Sequence, residues 1–149
     1  HNRIDLPVKN PGCVIWQNFN AQKDGLYQTL RLDFAVAEAV EAYNHHHSKS
    51  ECVGYILNVD GVSVYFAGDT GQTKQMSALA EKKLDYAVLP MDATYTMDIP
   101  ETVRCAELIS ARHTIPSHMS PGKLFDADRA KKFTVSGAVI LKPGEELRL

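Results

Sequence analysis

The chain has 149 residues, 44% hydrophobic and 23% charged, which suits the core of one domain or a substantial part of a larger one. Its net charge of -2 and pI of about 6.3 leave no basic surplus for a polyanion, which argues against a nucleic-acid partner. Cys13, Cys52 and Cys105 are odd in number, far apart and without a CxxC pair, which argues against a zinc knuckle or a disulfide framework and for reduced thiols in a cytoplasmic protein.

No uninterrupted apolar run approaches membrane-spanning length, and no signal-peptide pattern opens the chain. It starts with His1 rather than Met, as a processed, trimmed or cut chain would. The first 25 residues carry turn signals at Pro7, Asn10-Pro11-Gly12 and Asp24-Gly25. Between them, residues 13–16 read as a short buried strand. Residues 26–34 alternate, with Leu30, Leu32 and Phe34 on one face and Thr29, Arg31 and Asp33 on the other, and predict a strand. The piece "AVAEAVEAY" is ambiguous. Its Ala and Glu content suits a helix, and its alternation suits a strand.

From Val53 the pattern sharpens. "VGYILNVDGVSVYFAGD" is two alternating apolar runs parted by Asp60-Gly61, a strong hairpin signal. Residues 73–83 predict an amphipathic helix with Met76, Leu79 and Ala80 inward, and 84–90 a short buried strand. Residues 97–112 predict a second helix. There Asp98 and Glu101 form a capping-box pattern, Pro100 sits in the first turn, and Val103, Ala106 and Ile109 share a face. A strand follows over 113–118, then a short helix over 126–133. Residues 138–149 predict a closing hairpin that turns at Pro143-Gly144.

Short apolar strands alternating with amphipathic helices predict an α/β sandwich with its chemistry at the carboxyl ends of the strands. Three such ends carry polar residues: Asp69, Asp92 and His118. Taken singly, Asp69 reads as a helix cap or Asx-turn residue, His118 as a surface or packed histidine, and His45-His46-His47 as a solvated loop. Together they are a donor set for zinc and similar divalent ions, and strand-end loops can gather such residues from distant segments. The glycines around Asp69 allow the tight turn that would present it.

The stretches "AYNHHHSKSECVGYILNVDGVSVYFAGDTG" and "LDYAVLPMDATYTMDIPETVRCAELISARHTIPSHM" resemble the C-terminal half of a metallo-β-lactamase-fold hydrolase. The similarity is to the zinc-dependent branch that includes ascorbate-phosphate lactonase-like proteins. Tyr-Asn, a His, Val-Gly-Tyr, Ala-Gly-Asp-Thr, a Pro-bearing strand end, Tyr-Thr-Met and Ile-Pro-x-His stand in the family's order, between Tyr43 and Met119. The resemblance implies a four-layer αββα sandwich with one or two divalent metal ions, zinc first and manganese or iron as alternatives, held between the two sheets. It decides "AVAEAVEAY" in favour of a strand.

Carried over, Asp69 matches the bridging aspartate and the catalytic carboxylate, and His118 the last histidine ligand. The remaining histidine position falls in 45–47. His47 is chosen because five residues then separate it from Val53, with His46 the alternative. The family's main motif, His-x-His-x-Asp-His, is not in this chain. His1 fits its last histidine, so that the chain is one domain incomplete at its N-terminus. Where relatives often carry Gly-Gly after the Pro-bearing strand, this chain has Asp92-Ala93, a substrate-shaping residue or a cap. His113, at a strand start, reads as structural. The implied function is metal-dependent hydrolysis of an ester, lactone or phosphodiester-type bond in a small-molecule substrate, by a protein with no membrane partner and a possible homo-oligomer. The alternative is a non-catalytic module of the same fold that lacks the first ligand cluster.

Overall fold

Residues 10–149 are described by a computed structural model; His1 lies outside the described residues. The chain enters through a one-turn helix, α1 (Asn18–Ala21), and a small hairpin, β1 (Gln22–Lys23) and β2 (Leu26–Tyr27), closed at Asp24-Gly25. Residues 13–16, expected as a strand, are irregular. Val14 is exposed, and no strand among the described residues takes up the backbone. The strand expected over 26–34 is split. Gln28 turns its N–H to the Ala21 carbonyl, 2.9 Å, and pairing resumes in β3 (Thr29–Arg31). Phe34 is 70% exposed in the turn that follows, so it does not share a buried face with Leu30 and Leu32.

β4 (Ala35–Glu41), β5 (Val53–Val59) and β6 (Val62–Phe66) then form an antiparallel meander. The alternation of "AVAEAVE" therefore belongs to a strand. The β5–β6 hairpin turns on Asp60 and Gly61, at φ 51° and 84°, the left-handed pair of a type I′ turn. A helical turn, α2 (Met76–Leu79), tightens into a 3₁₀ turn over Ala80–Lys82 and leads to β7 (Tyr86–Pro90). Helix α3 (Ile99–Ile109) leads to β8 (His113–Ser117), and α4 (Ala127–Lys132) follows. Asp98 caps α3 by accepting the Glu101 N–H at 2.8 Å, as the capping pattern predicts.

The large sheet has the order β3-β4-β5-β6-β7-β8. β7 is parallel to β6, and β8 to β7. Both crossovers run in one direction along the sheet, so α2 and α3 lie on the same face. There Met76, Leu79, Cys105, Ala106 and Ile109 bury against Val40, Ile56, Tyr65, Ala87 and Leu89. Each large aliphatic side chain buried this way contributes on the order of 1.5–3 kcal/mol. Against the opposite face, Ala21, Trp16 and Tyr27 pack on Ala39, Val53 and Tyr55.

The closing hairpin is not formed. Pro143-Gly144 does turn, with the Glu145 N–H on the Lys142 carbonyl at 3.0 Å. The residues before it bond elsewhere: Thr114 donates to Gly137 O at 3.0 Å and accepts from Val139 N at 2.9 Å, a parallel bridge along β8.

Because β5 is antiparallel to both neighbours, the carboxyl ends of β4, β6, β7 and β8 lie on one edge of the sheet. The loops that leave them carry His47, Asp69, Asp92 and His118.

Candidate metal centre

β6 stops at Phe66. Ala67 is buried, Gly68 takes φ 69°, and the chain turns to present Asp69. A Cβ at Gly68 would lie 3.3 Å from the Val53 carbonyl, so this left-handed turn, run close to β5, suits glycine. Thr70 follows, fully buried. Its Oγ1 accepts the Tyr43 N–H at 3.0 Å, and Gly71 N donates to Tyr43 O at 2.9 Å. The loop after β6 is thus bonded to the loop after β4. No helix begins at Asp69; the next starts at Met76, so the residue is not a helix cap.

The loop after β7 folds around Asp92, whose side chain is wholly shielded from solvent. Its Oδ1 accepts N–H groups of Thr94 (2.8 Å), Tyr95 (2.8 Å) and Thr96 (2.9 Å), and the Thr96 hydroxyl at 3.1 Å. Burial pushes this carboxyl up, but the donors from Thr94, Thr96 and Tyr95 outweigh burial and hold it at about 2. Asp92 is therefore a buried anion at neutral pH.

His118 leaves β8 with φ 46°, a strained left-handed conformation for a non-glycine residue. Its Nδ1 lies 2.6 Å from Asp92 Oδ2 and its Nε2 lies 3.8 Å from Asp69 Oδ1. The Nδ1 contact is short but poorly aligned, so Oδ2 is a buried acceptor lacking a well-directed donor. At 2.6 Å from a carboxylate oxygen, the tautomer with the proton on Nδ1 is favoured over one that sets lone pair against lone pair. The lone pair then sits on Nε2, on the side of Asp69.

His47 sits in a tight loop built by Asn44. Asn44 Oδ1 accepts the N–H groups of His46 (2.8 Å) and His47 (2.9 Å) and lies 3.1 Å from His47 Nδ1. That contact favours the proton on Nδ1 here too, leaving Nε2 as the lone-pair nitrogen. His46 is exposed, with its ring 3.9 Å from that of His45 and 5.8 Å from that of Tyr95. Asn44 Nδ2 donates to Tyr95 O at 2.9 Å, joining the loops after β4 and β7.

Of the expected ligands, Asp69 and His118 are brought face to face. His47 leaves the same sheet edge. Among the described residues no group of three or more His, Cys, Asp or Glu side chains is arranged to hold an ion. Asp92, read from sequence as a substrate-shaping residue or a cap, does cap the turn at 94–96 through Oδ1, and its Oδ2 also lies against His118. The available signal was Asp92 two and four residues ahead of Thr94 and Thr96, a side chain set to fold a turn on itself. His113 stacks on Tyr86, ring centroids 5.2 Å apart, at the far end of β8.

The donor chemistry fits a divalent cation. Two ligands of one ion stand roughly 3–4 Å apart, and Asp69 Oδ1 and His118 Nε2 stand 3.8 Å apart. A ligating histidine commonly gives its other ring N–H to a carboxylate, the place of Asp92.

A two-faced mixed sheet with acidic and imidazole donors at its carboxyl edge defines an α/β protein with a candidate divalent-metal site. The sequence model of the beta-lactamase superfamily domain matches residues 14–119, and the chain belongs to that superfamily. It is 40% identical over 109 residues to a UPF0173 metal-dependent hydrolase of Pyrococcus furiosus, a match covering 69% of this chain and 48% of that protein. A UPF0173 metal-dependent hydrolase of Methanosarcina mazei is 31% identical over 122 residues, covering 76% of this chain and 52% of that one. Among solved structures, a metallo hydrolase from the archaeon Ignicoccus hospitalis superposes with a TM-score of 0.65 at 26% identity, over 79% of this chain and 56% of that chain. The chain spans about half the length of the curated relatives it matches. No helix among the described residues is long and apolar enough to cross a membrane.

Proposed function

We propose that the chain carries part of the active centre of a metal-dependent hydrolase acting on an ester, lactone or phosphodiester-type bond of a small molecule. The observation that carries this reading is the line Asp92–His118–Asp69: a buried carboxylate on Nδ1, and a second carboxylate 3.8 Å from Nε2. Asp69 and His118 would hold one or two divalent ions, with zinc the first candidate, and His47 would complete the set from the end of β4. The Asn44 contact to His47 Nδ1 supports His47 over His46, whose ring lies against His45 and Tyr95. Such an ion supplies Lewis acidity and a bound water that ionises near neutral pH. Asp69, besides holding the ion, would accept a hydrogen bond from a water at the site and so orient it. Asp92 keeps the His118 imidazole in one tautomer and one orientation.

Among the described residues no three-donor cluster is closed, which is the one observation that favours a non-catalytic module of the same fold. Metal analysis separates the readings, together with chelator-reversible turnover of an ester, a lactone and a phosphodiester. Stoichiometric metal and turnover that chelation abolishes and metal restores are the expected results. A protein that binds no divalent ion would overturn the hydrolase.

A further inference from the structure

A cleft of about 520 Å³ opens beside His118, lined by that residue and by Ser120, Pro121, Gly122, Lys123 and Leu124. Its size suits a small organic molecule. Its outer wall is a tight turn. Lys123 N–H donates to Ser120 O at 3.2 Å, with Pro121 and Gly122 (φ 70°) at the two central positions, as in a type II turn. The turn is anchored at its base. Ser120 Oγ donates to Asp126 Oδ2 at 2.8 Å, and Asp126 also caps α4 through the Arg129 N–H at 3.1 Å. Helix α4 is anchored in turn, for Arg129 Nη2 donates to the Met91 carbonyl next to Asp92. The wall therefore stands in fixed relation to the His118 side of the centre.

Two side chains on this wall face solvent. Leu124 is 91% exposed, and Lys123, the only Lys or Arg among the described residues lining the cleft, has 66% of its side chain exposed with Nζ 3.6 Å from Asp126 Oδ2. At 3.6 Å this is a loose, solvent-screened pair that leaves the ammonium able to bind a second anion. We infer that the turn at 120–123 is the specificity wall of the substrate cleft, with Lys123 binding an anionic carboxylate or phosphoryl group of the substrate while Leu124 lines its apolar portion. This rests on the hydrolase reading and adds the substrate class to it.

The test uses the metal-loaded protein with p-nitrophenyl butyrate, which is neutral, and mono-p-nitrophenyl succinate, which carries a carboxylate at the far end of the acyl chain. The anionic-over-neutral ratio of kcat/KM is expected to fall about tenfold in Lys123→Ala, the value of one charge-assisted contact, and further in Lys123→Glu. Lys123→Arg should restore most of it. Metal-dependent turnover with the same ratio in all four proteins would leave the hydrolase standing and overturn the anion site. If neither ester is turned over, calorimetric titration of succinate and of inorganic phosphate decides the anion site separately. A dissociation constant about tenfold weaker in Lys123→Ala supports it, and equal constants overturn it. The anion bound more tightly tells carboxylate from phosphoryl.

Discussion

Asp92 Oδ2 lies 2.6 Å from His118 Nδ1 on a side chain wholly shielded from solvent, while the same carboxylate's other oxygen gathers four donors from residues 94–96. One oxygen folds the turn, and the other faces the imidazole. Asp92→Asn keeps an oxygen for the turn but sets an amide N–H₂ toward Nδ1, which favours the opposite tautomer. Divalent-metal affinity is expected to drop about 10- to 100-fold, as for other lost buttresses of ligating histidines. Titration calorimetry with zinc checks it. Asp92→Ala should also destabilise by about 1–3 kcal/mol, because three part-buried N–H groups of the turn lose their charged acceptor. Unchanged affinity in Asp92→Asn would make Asp92 a turn residue only.

Asp69 begins no helix, so its removal costs no cap. Asp69→Ala should shift stability by less than about 1 kcal/mol, because the carboxylate is partly exposed and the turn is held by Gly68 and Thr70. Bound metal should fall to a small fraction of the wild-type value. Elemental analysis and a thermal melt on the same sample read both. A metal complement that survives the substitution would remove Asp69 from the centre.

The elements most legible in the sequence are those with strong local signals. The β5–β6 hairpin is written in Asp60-Gly61, and helix α3 in Asp98, Pro100 and the apolar face through Ala106 and Ile109. β7 and β8 are legible too, as short apolar runs, although their partners lie far along the chain, whereas two other segments take a course their local pattern does not foretell. Residues 13–16 are apolar enough for a strand, but Trp16 meets β5 through the ring and hydroxyl of Tyr55, and no ladder forms with a strand among the described residues. Pro143-Gly144 turns as its sequence demands, yet residues 137–139 bond Thr114 rather than the chain beyond the turn. The site shows the same division. Asp69 and His118 stand at apolar strand ends and were readable as donors. The Asp92–His118 contact joins the ends of β7 and β8, and no local pattern encodes it.

Acid should unfold the protein in a window set partly by Asp92. Its carboxyl is held at about 2 in the fold and returns to about 3.9 in the unfolded chain. The unfolded state therefore binds the extra proton first. The stabilisation is fully present above about pH 4 and is lost as pH falls toward 2, about 2 kcal/mol in all. Asp85 acts in the same direction, because the Ser63 N–H and hydroxyl hold its carboxyl below the usual range. Denaturant midpoints measured between pH 6 and 2.5 should fall more steeply in the wild type than in Asp92→Asn, which has no carboxyl to protonate. Parallel curves would show that Asp92 is not the buried anion described.

Thiol chemistry tests the packing of the helix layer. Cys105 lies on the inner face of α3 with no exposed surface, and burial pushes its thiol up to about 12. Cys52, just ahead of β5, is 3% exposed and is also raised by burial. Cys13 is exposed. The nucleophile is the thiolate, so the two buried thiols are protected twice, by access and by protonation. Ellman's reagent at pH 8 should therefore consume one thiol per chain quickly and the remaining two only as fast as the fold opens, while denaturant should release all three together. Cys105→Ser would place a hydroxyl among Met76, Leu79 and Ile109, at a cost of about 1–3 kcal/mol. Three thiols reacting at one fast rate in the native protein would mean that α3 does not pack on the sheet as described, and the β7–α3–β8 frame that sets Asp92 against His118 would fall with it.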